Sequence, residues 1–185
     1  MFSGITPPVL AKERDRVVHP ALLRLTAEVP EGWAVLKPPQ GIHAAMWLLG
    51  PGAQIEDQQF RANLLVQSVP MLDDDATDRT ADAFVEDVES GPTVRVRTAR
   101  NTVDDHGGAR VDHLAVQWGD QDLSVIQNCF LVLIRSEDPT LVIVTASAEE
   151  GDEMSSHALK GLCESVIGEL VHQLSPREEP GPDSV

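Results

Sequence analysis

The sequence predicts an α+β domain, an α/β sandwich in which an antiparallel sheet of about six to eight strands lies between helices. Three observations predict it. Only two segments keep apolar residues at helical spacing over several turns. Between them, strand-length runs are joined by connections too short for anything but antiparallel neighbours. Two of those runs, Leu123 to Ile134 and Leu141 to Val144, are apolar on both alternate faces and so need cover on both sides of the sheet.

Taken in order, residues 1–17 read as an N-terminal arm, 18–174 as a single domain, and 175–185 (SPREEPGPDSV) as a disordered acidic tail. Leu22 to Val29, Trp33 to Leu36, His43 to Leu49 and Ala62 to Val69 are expected strands, broken by Pro30, Pro38-Pro39 and Pro51-Gly52. Ala81, Phe84, Val85 and Val88 mark the first helix, with Asp78 or Thr80 as its cap and Gly91-Pro92 as its stop. In Val94-Arg95-Val96-Arg97-Thr98, apolar and basic residues alternate, which predicts one buried and one wet face. Strands near 109–118, 123–134 and 140–147 follow, punctuated by Gly107-Gly108, Gly119-Asp120 and Asp138-Pro139. The last helix carries Leu159, Leu162, Cys163, Val166, Ile167, Leu170, Val171 and Leu174 on one stripe. Ser155 or Ser156 is its expected cap and Ser175-Pro176 its stop.

The chain of 185 residues has a formal net charge of −16, with 42% hydrophobic and 24% charged residues. Such a composition is that of a globular domain. The charge is not spread evenly. Residues 71–93 hold one basic and eight acidic residues, and 149–185 hold two and nine, so each block nets −7. Both blocks contain a helix, and acids ahead of a helix interact favourably with its unpaired N–H groups and dipole. With no basic run and no Tyr, a nucleic-acid surface is excluded. No apolar run approaches the length of a membrane-spanning helix, so no membrane insertion is expected. No secretory signal is read at the N-terminus, and Cys129 and Cys163 sit in apolar segments as reduced core thiols. The cytoplasm is the expected compartment.

Few residue sets point to chemistry. In Asp73-Asp74-Asp75-Ala76-Thr77-Asp78, a calcium loop would need Gly where Asp78 stands and Glu where Phe84 stands, so the run reads as a helix start. Asp104-Asp105-His106 and Asp112-His113 flank a glycine turn and form a conceivable divalent-metal cluster. Adjacent strand residues point to opposite faces, however, which separates Asp112 from His113. No nucleophile elbow or Gly-rich phosphate loop occurs, so no catalytic residue, metal or cofactor is expected. Gln127 and Asn128 lie amid the most apolar strand and must be hydrogen-bonded across the sheet or line a cavity. Met46 and Trp47 lie in an apolar stretch that reads as core strand, or as a partly exposed binding surface.

Several short motifs then combine. An Asn opens an apolar strand (Ala62-Asn63-Leu64-Leu65-Val66), and an acidic helix follows (Thr80 to Ser90). Next come Gly108-Ala109-Arg110-Val111, a strand with Gln (Val125-Ile126-Gln127), and Val144-Thr145-Ala146-Ser147 before the final helix. In this order the chain resembles the PsbP-like superfamily over residues 20–174, and within it the actinobacterial LpqN-like and DcrB-related proteins. The resemblance implies an antiparallel α/β sandwich and a binding role, since members act mostly as assembly factors, envelope lipoproteins and chaperones. It supplies no catalytic motif. The chain departs from the LpqN-like lipoproteins in lacking a leader and a lipid-attachment Cys.

The expected function is therefore that of a non-enzymatic, cytosolic protein-binding, adaptor or chaperone-like protein. Its expected partner is a protein, with a homodimer as one form, and the acidic exterior favours a basic partner. The alternative is a small-ligand-binding or enzymatic domain that uses a sheet cavity near Gln127 and Asn128, or the Asp/His hairpin.

Overall fold

In the computed structural model, residues 28–37, 44–51, 60–91, 93–106, 109–119, 122–135 and 138–174 are described. They form β1 (Ala34–Val35), β2 (Ala44–Leu49), β3 (Asn63–Pro70), α1 (Asp74–Glu89), β4 (Val94–Arg97), β5 (Asn101–His106), β6 (Ala109–Gly119), β7 (Ser124–Ile134), β8 (Thr140–Glu149) and α2 (Glu153–Leu174). The arm and the tail lie outside the described residues, as does most of the strand expected over Leu22 to Val29.

All eight strands join one antiparallel sheet in the order β1-β2-β3-β8-β7-β6-β4, with β5 also on β6. The fold class is the one the sequence predicts. β7 and β8, the two uniformly apolar runs, occupy the centre, where each is flanked by strands on both edges and by a helix on each face. β5 was not among the expected strands and was implied only by the Asp/His hairpin. Its sequence, Asn-Thr-Val-Asp-Asp-His, has no apolar alternation because it pairs only with β6 and lies at the margin of the sheet.

The helices sit on opposite faces and are offset diagonally. α1 turns Ala81, Phe84 and Val88 onto Leu114, Val116, Cys129, Leu131, Leu133 and Ile143, so it covers β6, β7 and β8. α2 turns Leu159, Leu162, Val166 and Leu170 onto Leu48, Leu64, Val66, Val142 and Val144, so it covers β8, β3 and β2. Each fully buried Leu or Val contributes about 1.5–3 kcal/mol of transfer free energy, which makes these two interfaces the main favourable contribution to folding.

Three local expectations need correction. The first helix is not capped by Asp78 or Thr80. Its cap is Asp73, whose Oδ1 accepts the Ala76 N–H at 2.6 Å, which leaves Asp78 and Thr80 inside the helix. The second is not capped by Ser155 or Ser156. Asp152 accepts the Ser155 N–H at 3.0 Å, and Gly151, at φ +92°, turns the chain out of β8 just before it. In both cases a carboxylate three residues ahead was the better acceptor for an unpaired helix N–H. The alternation expected in β4 also breaks. A register shift between Val94 and Val96 places Val94 opposite Trp118 and Arg97 opposite Val116, so both end on the α1 face.

Candidate functional site

Among the described residues, the diagonal offset leaves part of each sheet face without a helix over it. On β3, the side chains toward α2, Leu64 and Val66, are fully buried, whereas Asn63, Leu65, Gln67 and Val69, toward α1's side, are all half-exposed. β2 repeats the pattern, with Leu48 buried and Trp47 and Leu49 half-exposed. Registers place Trp47 beside Leu65 and Leu49 beside Asn63. Here six half-exposed side chains, aliphatic, indole and amide, form a quadrant of mixed character that α1 does not cover and that stands open among the described residues.

The four residues singled out in the sequence divide between the faces, since neighbours along a strand point apart. Met46 packs against the core under α2. Asn128 lies on that same face, where its Oδ1 is 3.0 Å from His113 Nε2, and the His113 ring stacks on Phe130 at 4.6 Å and 28°. Asn128 is thus hydrogen-bonded across β6 and β7, one of the two outcomes expected for a polar residue there. Trp47 and Gln127 share the α1 side, three strands apart (roughly 14 Å across the sheet) and two residues out of register. Gln127 lies beside Ser147 and makes no side-chain hydrogen bond among the described residues.

A second feature joins α1 to the sheet. Asp112 is fully buried, yet it stays ionised within a cage of donors. Arg110 Nε donates to its Oδ1 at 2.9 Å and Thr102 Oγ1 to the same oxygen at 2.9 Å, while Arg100 Nε donates to Oδ2 at 2.7 Å. Burial alone would raise its pKa. The hydrogen bonds from Arg110, Thr102 and Arg100, with the charge of Arg100, outweigh that and hold the carboxyl below its ordinary value. Arg100 also grips Asp82, and Arg110 and Arg135 approach Asp78 at 3.9 and 3.6 Å, so α1 is tied down by two carboxylates one turn apart. The Asp112 and His113 of the conceivable metal cluster therefore have other employment on opposite faces. The side chains of Asp104 and His106 lie outside the described residues, and among those described no acid, His and Cys group is arranged to hold a metal.

Beyond the Arg100–Asp82 pair, α1 and the β4–β5 edge part to leave an open groove of about 370 Å³. Asp82, Val85, Glu86 and Glu89 form one wall, and Arg97 and Arg100 the other. Reading the sequence for metal loops and nucleophiles missed this. The signal was present: Asp78, Asp82, Glu86 and Glu89 lie at helical spacing and form one acidic stripe.

Cys129, on β7 under α1, and Cys163, on the sheet-facing side of α2, are buried free thiols, and burial pushes both pKa values up to about 12. They are protonated at neutral pH, as expected for core thiols.

No family model matches the chain, and no curated protein matches it. Among solved structures, it is similar to the crystal structure of LpqN, involved in cell envelope biogenesis of Mycobacterium tuberculosis. The match covers 73% of this chain and 76% of that one, with a TM-score of 0.56 and 12% sequence identity. The fold is LpqN-like. At that identity the likeness concerns backbone architecture, and the LpqN-like arrangement leaves the chemistry of the open quadrant and groove to this chain's own residues.

Proposed function

We propose that this protein is a non-enzymatic protein-binding module, adaptor- or chaperone-like, which docks a protein partner on the open quadrant around Trp47. Kinship with the PsbP-like superfamily and its DcrB-related proteins belongs to the same proposal. The observation that carries it is the alternation over residues 63–67 of β3, buried under α2 and half-exposed on the other face, with Trp47, Leu49 and Leu65 contiguous there. Trp is the residue type most often found as an interface anchor, and a rim of amides such as Asn63 and Gln67 is what surrounds such anchors. The cytosol is the proposed compartment, which two free buried thiols fit.

The test is affinity capture with quantitative mass spectrometry, comparing the wild type with Trp47→Ala and with Gln67→Arg. The second variant places a charge in the quadrant without deleting core volume. The expected result is a partner held by the wild type and lost by both variants while their thermal unfolding stays close to wild type. Light scattering on the purified chain shows whether that partner is a second copy. Capture profiles that both variants share with the wild type would overturn the proposal.

A second reading has its own observation. Among the described residues the buried Trp118 indole N–H has no hydrogen-bond acceptor, and on the same face the Gln127 side chain has no hydrogen-bond partner among them. A small ligand with a carbonyl or carboxylate oxygen would satisfy both. Native mass spectrometry of the purified protein separates the readings: a bound metabolite lost in Gln127→Leu favours the ligand, and a bare mass favours the protein partner.

A further inference from the structure

On the α1 side of the sheet, three polar side chains stand in one row on adjacent strands. Asn63 on β3 pairs with Ser147 on β8, and Ser147 pairs with Gln127 on β7. Directly paired residues hold their Cβ atoms about 5 Å apart, so the three groups converge on one small volume. The row beside them is different in character. There Trp47, Leu65 and Cys129 are apolar, and Thr145 hydrogen-bonds the Cys129 thiol. Beyond Gln127, Trp118 lies one diagonal step away, in T-shaped contact with Phe60 at 5.9 Å.

None of the three is saturated. Ser147 is only 5% exposed, yet its hydroxyl makes no hydrogen bond among the described residues. The half-buried Gln127 amide likewise makes none there. Asn63 donates from Nδ2 to the Arg61 carbonyl at 3.0 Å, and its Oδ1 has no donor among the described residues. Polar groups at this depth are normally paired, so the row is short of a partner. What it offers fixes the partner's chemistry: Ser147 and Gln127 can donate, and Gln127 and Asn63 can accept. An ammonium would leave both donors unmet. An anion would face Glu149, exposed two residues past Ser147 on the same face, in a row with no positive member.

We propose that the row of Asn63, Ser147 and Gln127 binds a small neutral ligand by a carboxamide group. Ser147 Oγ and Gln127 Nε2 donate to its carbonyl oxygen, and its N–H donates to Asn63 Oδ1. The apolar remainder of the ligand lies on Leu65 and Trp47, next along the face. The proposal rests on the small-ligand reading and deepens it, adding the residues that hold the ligand and its chemical class.

The experiment titrates the full chain with benzamide, benzoate and benzylamine, one ring carrying a neutral, an anionic or a cationic group. Proton–nitrogen correlation spectra follow the side-chain amide signals. Benzamide is expected to bind saturably and to shift those of Gln127 and Asn63, while the two charged probes bind at least about ten-fold more weakly. Ser147→Ala, which removes one oxygen and nothing else, and Gln127→Leu should each weaken benzamide about five-fold, the loss of one hydrogen bond. Ser165→Ala, on the exposed side of α2, should leave the affinity unchanged. Benzoate binding as tightly as benzamide, no saturable binding of benzamide, or binding indifferent to Ser147 and Gln127 would each overturn the proposal. Native mass spectrometry separates it from the broader reading. A bound metabolite lost in Gln127→Leu, without benzamide binding, overturns the carboxamide and keeps the ligand reading. Benzamide held through Ser147 by a protein of bare native mass supports the row, while the resident metabolite of the broader reading fails.

Discussion

Arg100 donates from Nε to Asp112 Oδ2 at 2.7 Å while its terminal nitrogen holds Asp82, so one guanidinium joins β6 to α1. The two contacts differ in worth because they differ in exposure. Asp112 is 0% exposed and Asp82 is 71% exposed. Asp112→Ala removes the buried carboxylate shared by two arginines, 17% and 28% exposed, leaving them, among the described residues, only the more exposed Asp82 and Asp78, and is expected to cost about 3 kcal/mol, the lower part of the range for a broken buried pair. Asp82→Ala should cost less than about 1 kcal/mol, because solvent screens that pair. Urea denaturation midpoints at pH 7 check both, and equal costs would contradict this ranking.

The same cage sets a pH dependence. Asp112 has a folded pKa lowered from 3.8, so its contribution to stability is fully present above that value and is lost as pH falls through the lowered one. Wild-type stability should therefore drop as pH falls below about 4, beyond what exposed carboxylates cause. Asp112→Asn, less stable at pH 7, should lose less over that window, so the two stability curves converge in acid. Parallel curves in urea titrations across pH 2–7 would show that Asp112 does not carry the effect.

Much of this fold was legible because its strongest signals are local. The twofold apolarity of β7 and β8 marks central strands, short polar connections fix their antiparallel pairing, and the long stripe of α2 admits only a helix. What could not be read depends on partners far along the chain. β5 has no apolar pattern because one strand, β6, defines it. Asp112 looked like a turn carboxylate or metal ligand because Arg100, twelve residues away, is brought to it only by the β5–β6 pairing. The split between Met46 and Trp47 was available from strand geometry alone, but which of the two is covered depends on where α2 packs, and that is a tertiary fact.

Thiol reactivity tests the core independently. With pKa values near 12, Cys129 and Cys163 should be inert to an aromatic disulfide reagent in the folded protein at pH 8, and both should react once the protein is unfolded. Their burial also makes stability fall as pH rises from about 9 toward about 12, because unfolded thiols ionise there while folded ones stay neutral. A rapid reaction of one thiol equivalent under native conditions would mean that one helix opens on its own.

Glycine substitutions should separate strain from mere flexibility. Gly161 and Gly168 lie inside α2 on its solvent side, and an added Cβ at either meets no heavy atom within 4 Å. Alanine there removes backbone freedom from the unfolded chain, and each change should stabilise by about 0.8–1 kcal/mol. Gly119 is the opposite case. It ends β6 at φ +143°, and a Cβ would stand 1.9 Å from the Leu123 carbonyl oxygen. Gly119→Ala must therefore shift the β6–β7 turn, at a cost of about 3 kcal/mol. The turn pairs Gly119 with Ser124 and sets the register down to Ala109 and Ile134, so that strain bears on both helix-covered faces at once. Thermal unfolding of the three variants gives the answer directly: two higher midpoints and one much lower support these backbone assignments, and a Gly119→Ala as stable as wild type would refute the turn geometry.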